Sequence, residues 1–274
     1  MNRIIAELAG PSLADRIGTE SIVVLPTGAI EHHGPHLPLS TDALLAEAVA
    51  GAAVERAASA GVDVWQLPTL AYTKSDEHSW APGTVWLDAE TLFRTVVEIG
   101  RAVALMGAGT LVFVNGHGGN TALLQVALRE IRKRYGLRTF LMPSLVRAAP
   151  PTGEGLDERE LGIHGGAAET SLVLHLRPDL VDLSRAERWV PEHLADFQHI
   201  GFNGRPVSFG WLSNDFGTPG VIGDPTQATP AYGEVLWDAS VRQAVESLRE
   251  IARFEHDPAA ARRKRTHTNE FGGV

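Results

Sequence analysis

Two apolar runs, Ser21-Ile-Val-Val-Leu-Pro-Thr27 and Thr110-Leu-Val-Phe-Val114, restrict the possible folds of this chain more than any other feature. A strand with one wet face alternates apolar and polar residues. These runs do not alternate, so both of their faces must be covered. Two shorter runs, Val62-Asp-Val-Trp-Gln-Leu67 and Arg138-Thr-Phe-Leu-Met142, have strand character as well. Helix-length segments rich in Ala, Leu and Val separate them, at residues 43–60, 88–106 (capped by Asp88) and 121–135. Apolar strands alternating with helices predict an α/β domain: a three-layer sandwich around a mainly parallel four-stranded sheet.

After Pro150 the pattern loosens. A Gly/Pro/charged loop at 150–162 leads to a short helix at 167–176, and a Gly-, Asn- and Pro-rich region at 201–230 precedes a long helix at 231–254. That irregular region is too long for a simple connection and is expected to cover a pocket or an interface. Its Phe202, Phe209, Trp211 and Phe216 are candidates for a subunit contact. Residues 1–258 read as one domain. Residues 259–274, with the basic run Arg262-Arg-Lys-Arg265, read as a weakly ordered tail. The N-terminus lacks the apolar core of a signal peptide, and no apolar run approaches the roughly 20 residues of a membrane span, so the expected location is the cytoplasm.

A chain of 274 residues can bury an adequate core without a structural metal, so a metal here would serve chemistry. Cysteine is absent, which excludes disulfides and thiolate ligands. Any metal must sit on histidine and carboxylate, a donor set suited to zinc, manganese or iron. With 24 basic and 33 acidic residues the formal charge is −9, which opposes non-specific binding to nucleic acid or anionic lipid.

The residues that can carry chemistry fall in three clusters. The first, Glu31-His32-His33-Gly34-Pro35-His36-Leu37-Pro38-Leu39-Ser40-Thr41-Asp42, follows the first strand, where open parallel sheets bind ligands. In extended chain Glu31 and His33 point to the same side. Asp42 returns at the start of the next helix, where a carboxylate also suits the helix dipole and can bridge two ions. Each residue alone could be an ordinary hydrogen-bonded loop residue; three histidines and two acids within twelve positions favour a metal over a solvated loop. The second cluster, Asn115-Gly116-His117-Gly118-Gly119-Asn120, follows the most apolar strand and could instead be a glycine-rich anion nest. It matches no P-loop or dinucleotide fingerprint, and a central histidine suits a metal better. The third is His164-Gly165-Gly166-Ala167-Ala168-Glu169-Thr170-Ser171. Glu169 could complete the metal shell and His164 could protonate a leaving amine; the competing reading is a capped helix whose Glu faces water. His36, Glu77, His78 and Asn120 are assigned to substrate contact or outer support of the site.

Together these clusters resemble the creatininase family. Its E-x-H-G-P-H-L-P-x-x-x-D signature occurs as Glu31 to Asp42, its N-G-H-x-x-N signature as Asn115 to Asn120, and its H-x-G-x-x-E-T-S segment as His164 to Ser171. Pro82-Gly83-Thr84 and Gly220-Val-Ile-Gly-Asp-Pro225 also look like family segments, and the resemblance spans about residues 20–250. It implies a four-stranded parallel sheet, a site for two divalent ions (zinc, manganese or iron) and a homohexamer. Ligand roles pass to Glu31, His33, Asp42, His117 and Glu169. Creatininase itself has a Glu two residues after the histidine of the second signature. Gly119 stands there in this chain, which implies a different or weaker second metal position and a substrate other than creatinine. The activity implied is hydrolysis of a linear or cyclic amide of a small molecule, with Asp42 bridging and His164 passing the proton. Trimming of a small precursor peptide, as by the mycofactocin peptidase branch, is the alternative. A non-catalytic metal- or nucleotide-binding protein is the rival from another class, distinguished by a closed site in place of an open metal position.

Overall fold

A computed structural model describes residues 3–151, 158, 161–202 and 204–257. The four strands are β1 (Ile22–Thr27), β2 (Val64–Gln66), β3 (Thr110–Asn115) and β4 (Arg138–Pro143). They form one sheet in the order β2-β1-β3-β4, and every pair is parallel. The helices are α1 (Thr41–Ser59), α2 (Ala89–Leu105), α3 (Thr121–Tyr135), α4 (Ala167–Leu176) and α5 (Pro230–Arg253).

The absence of alternation in the strands has its counterpart in two separate cores. Val23, Leu25, Trp65, Leu111 and Phe113 point to one face, against Leu92, Val96, Val97 and Val103 of α2 and Leu124, Ala127 and Ile131 of α3. Ile22, Val24, Val64, Val112 and Val114 point to the other, against α1 and the Val241, Ala244, Leu248 and Ile251 stripe of α5. Side chains alternate along a strand with period two, so adjacent apolar residues feed opposite layers. That is the expected three-layer sandwich. Truncating Phe113 to Ala would cost about 3–5 kcal/mol, as for other buried aromatics.

Local signals set the helix ends. Asp88 caps α2 by accepting from Thr91 N at 2.8 Å. Thr229 caps α5 by accepting from Tyr232 N at 3.1 Å, with Pro230 in the first turn. Helix α3 stops at Gly136, whose φ of 75° is left-handed. Helix α1 starts at Thr41, two residues before the sequence expectation of 43, because Thr41 Oγ1 donates to Pro38 O at 2.7 Å and turns the chain early. Asp42 therefore lies inside the first helical turn.

The chain runs from β1 through α1 to β2 on one side, then crosses through α2 on the opposite face to β3 on the other side of β1. The strand order reverses there, and the carboxyl ends of β1 and β3 open the crevice in which such sheets bind ligands. Among the described residues no helix is long and apolar enough to cross a membrane. The basic segment at 262–265 and the expected tail lie outside the described residues.

Candidate metal centre

Two glycines bring the first turn of α1 against the strand ends. A Cβ at Gly28 would lie 2.4 Å from Ala43 Cα, and one at Gly116 would lie 2.5 Å from the Asp42 carbonyl oxygen. Without side chains there, β1 and β3 pack directly on the helix start and Asp42 is set between their loops. Its Oδ1 is 3.0 Å from His33 Nε2 and its Oδ2 is 3.0 Å from His117 Nδ1. Glu31 Oε2 is 3.1 Å from the same His117 nitrogen. Glu31, His33 and Asp42 are almost wholly buried, and His117 nearly so.

Second partners fix the orientation of these rings. His33 Nδ1–H donates to the Glu31 carbonyl at 3.1 Å, which leaves Nε2 facing Asp42. His117 Nε2–H donates to the Lys74 carbonyl at 2.8 Å, with Glu77 Oε1 3.3 Å away, which leaves Nδ1 facing Glu31 and Asp42. His164 Nε2–H donates to the His32 carbonyl at 2.7 Å, and its Nδ1 lies 3.6 Å from Glu31 Oε1. The His164 ring sits between those of His33 and His78, with both centroid distances 4.2 Å.

This packing orders the electrostatics. Burial pushes the Glu31 carboxyl up to about 7, against the pull of His117. Burial likewise raises half-buried Glu169 to about 7, against His33. Burial opposes the charge on His33, but the Asp42 carboxylate outweighs it and lifts the imidazole to about 10. His117, also opposed by burial, is held well above its ordinary value by Glu31 and Asp42. Asp42 is held well below the usual carboxylate range, because His33 and His117 outweigh its burial. Glu77, whose burial opposes its charge, is held down to about 2 by His117. Burial and the charge of His33 keep His164 well below its ordinary value and bring His78 to about 3 and His36 to about 4.

The donor set fits a divalent cation. With His117 neutral and its proton on Nε2, both Glu31 carboxylate oxygens and Asp42 Oδ2 are buried with no hydrogen-bond donor, an expensive arrangement unless a cation, or a second proton on His117, lies among them. Two trios of donor atoms, each within 4.8 Å of one another, are Glu31–Asp42–His117 and His33–His164–Glu169, and Asp42 Oδ1 links the first to His33 of the second at 3.0 Å. Glu31, His78 and His164 form a third such trio. Bound there, a divalent ion supplies Lewis acidity to an attacking water and to a polarised carbonyl.

Of the outlying assignments, Glu77 Oε1 is 3.3 Å from His117 Nε2 and His78 Nε2 is 3.5 Å from Glu31 Oε1. Asn120 is scaffolding: its amide donates to Gly28 O at 3.1 Å and its oxygen accepts from Lys74 N at 3.3 Å. His36 is buried beside Thr170 Oγ1 at 3.0 Å and lines none of the three cavities at the cluster, so it supports the site from behind. Lys74 and Glu158 had no signal in the sequence. Lys74 acts through a backbone carbonyl, which no residue type announces. Glu158 Oε1 accepts from Ala167 N at 3.0 Å and Asp224 N at 2.7 Å, joining the start of α4 to the 220–225 segment. Gly119 leaves no room for a side chain as its neighbours stand. A Cβ there would lie 2.1 Å from Glu77 Oε1 and 2.4 Å from His117 Nε2.

Three cavities of about 480, 520 and 440 Å³ meet at this cluster. The first two share Glu169 and Leu145, the second and third share His117 and Gly118, and the first and third share Ile163 and His164. Phe202, Phe209 and Trp211 wall the third. They and Phe216 pack on one another with ring centroids 5.4–6.3 Å apart.

The family model described as creatinine amidohydrolase matches residues 6–248. The mycofactocin precursor peptide peptidase of Mycobacterium tuberculosis is 34% identical over 260 residues, covering 93% of this chain and 94% of that one. The creatinine amidohydrolase of Pseudomonas putida is 31% identical over 247 residues, covering 84% and 90%. A solved structure of a manganese form of creatininase superposes with a TM-score of 0.71 at 29% identity, covering 91% of this chain and 98% of its own.

Proposed function

The chain belongs to the creatininase family and is a hydrolase, and from that premise we propose that it cleaves a linear, peptide-type amide bond with a pair of divalent ions. The observation that carries this reading is that three cavities border the donor cluster and share His117, His164 and Glu169 as walls, which offers a substrate surface on more than one side of it. A small cyclic amide needs one closed pocket. The peptidase relative, matched over nearly its whole length, supports the same reading. Glu169 borders two of the cavities, which favours an open, catalytic site over a closed binding site.

In this reading Glu31, Asp42 and His117 hold one ion and His33, Glu169 and Asp42 the other, with zinc, manganese or iron as occupants. Both positions have enough donors despite Gly119. The half-buried Glu169 makes its position the faster to exchange. His164, kept unprotonated by burial and its histidine neighbours, accepts a proton from the attacking water and passes it to the leaving nitrogen. This is the proton-passing role expected of it, taken up first as base and then as acid. The assembly is a homohexamer acting in the cytoplasm, and a monomeric mass by light scattering at micromolar concentration would contradict the hexamer.

The deciding experiment incubates metal-stripped protein, reloaded separately with zinc, manganese or iron(II), with short linear peptides, creatinine and simple lactams, and reads products by mass spectrometry. Cleavage of peptides and not of lactams is expected. Lactam hydrolysis alone would replace this reading with a cyclic-amide hydrolase. No turnover with any of the three metals would leave only a binding protein.

A further inference from the structure

Position 119 and the loop after β2 compete for one small volume. The Glu77 carboxylate lies where a side chain on residue 119 would begin, because a Cβ there would be 2.1 Å from Glu77 Oε1 and 3.0 Å from the Lys74 carbonyl. Because 119 is a glycine, Glu77 and the Lys74 carbonyl both reach His117 Nε2, at 3.3 and 2.8 Å. The opposite nitrogen of that ring, Nδ1, is the one that faces Glu31 and Asp42, at 3.1 and 3.0 Å. Glu77 therefore stands on the far side of the imidazole from the donor cluster. It cannot reach the ion that His117 would hold, but it can fix which nitrogen carries the proton and strengthen the donor on the other side. Its own place is set by Lys74, whose Nζ is 3.5 Å from Glu77 Oε2, and by the Glu77 carbonyl, which accepts from Ser213 Oγ at 3.2 Å.

We propose that Glu77 is a positioning residue of the metal centre, holding His117 with Nδ1 toward Glu31 and Asp42, and that Gly119 is required because its missing side chain makes room for that carboxylate. The acid absent from position 119 is thus answered by an acid from another loop, acting through the histidine and not on the metal. This rests on the metal-binding reading above.

The test uses the full-length chain, stripped of metal, as wild type, Glu77→Gln and Glu77→Ala. Zinc dissociation constants are measured by competition with a chromophoric chelator. The visible spectrum is recorded with cobalt(II), and the thermal transition is followed without metal. Glu77→Ala is expected to weaken one of the two zinc constants by on the order of 10–100-fold and to shift the cobalt bands. The metal-free thermal transition should fall only by what the lost Glu77–His117 ion pair contributes, and by the same amount in Glu77→Gln. Glu77→Gln, which keeps an oxygen beside Nε2–H, should recover most of the affinity and the wild-type spectrum. Zinc constants in Glu77→Ala within about twofold of wild type would overturn the proposal. So would a loss of affinity that accompanies a lowered metal-free transition and is not recovered by Gln, since that marks a merely structural role. If wild type takes up no zinc or cobalt, the metal-binding reading fails first and this inference with it.

Discussion

Asp42 faces His33 through one oxygen and His117 through the other, so one substitution there disturbs both halves of the donor cluster. Asp42→Ala is expected to abolish hydrolysis and to remove most bound metal, and His33→Ala to abolish hydrolysis with loss of part of it. Neither should unfold the protein, because both residues lie outside the apolar cores. Elemental analysis of the purified variants decides: full metal content in both would overturn the ligand assignment. At Gly119 the backbone is not left-handed, so alanine is conformationally allowed and only its contacts matter. Gly119→Ala should lower zinc affinity on the order of tenfold or more, through the crowding of Glu77 and His117. Unchanged affinity by the same chelator competition would mean that the loop yields freely. That Glu31, His33 and Asp42 lie together was legible from spacing, because Glu31 and His33 share a side of an extended chain and Asp42 opens the next helix. The Lys74 carbonyl was not, since every residue carries that atom.

At the scale of elements, the sequence patterns held where a period runs uninterrupted. The expected helices at 121–135 and 167–176 are α3 and α4 to the residue. The strand expected at 62–67 shortens to Val64–Gln66; just before it, the Asp63 carboxylate accepts from the Trp65 indole at 2.8 Å and holds an ion pair with Arg3. The region at 201–230 was legible as irregular and as a cover. Its aromatic residues carry no period, however, and nothing in the sequence indicates whether they face a partner or the site. They face the site: Phe202, Phe209 and Trp211 wall the cavity that also contains His117 and His164. Trp211→Ala should therefore raise KM by about tenfold and change kcat far less, as expected when ground-state and transition-state binding are lost together. Steady-state kinetics on a cleaved peptide would test this, and a fall in kcat at constant KM would assign Trp211 to the chemical step.

At the scale of the whole molecule, the donor cluster joins segments that the sheet alone does not hold together: the loops after β1, β2 and β3, and the start of α4. A cation bound only by the folded chain stabilises it by mass action, about 2.7 kcal/mol when free metal exceeds Kd a hundredfold. For a domain of this size that is on the order of 5 °C in Tm. The effect must depend on pH, because protons compete for the same atoms. In the metal-free protein His33, raised from 6.5 to about 10, contributes stability that is complete below about 6.5 and is lost as pH rises through 10. Asp42, depressed below its ordinary 3.8, contributes stability that is complete above that value and is lost as pH falls through its lowered one. Raising the pH from 6 toward 9 thus leaves Asp42's contribution whole, erodes that of His33 and weakens the proton's hold on His33 and His117. The metal-free fold should lose stability over this range while metal binding tightens, so the Tm increment on adding zinc should be larger at pH 8.5 than at pH 6.5. Paired thermal scans with zinc and with chelator at the two pH values measure it directly. An increment that is equal at both, or larger at the lower pH, would show that the ion does not displace protons from His33 and His117, and the donor set would have to be redrawn around other residues.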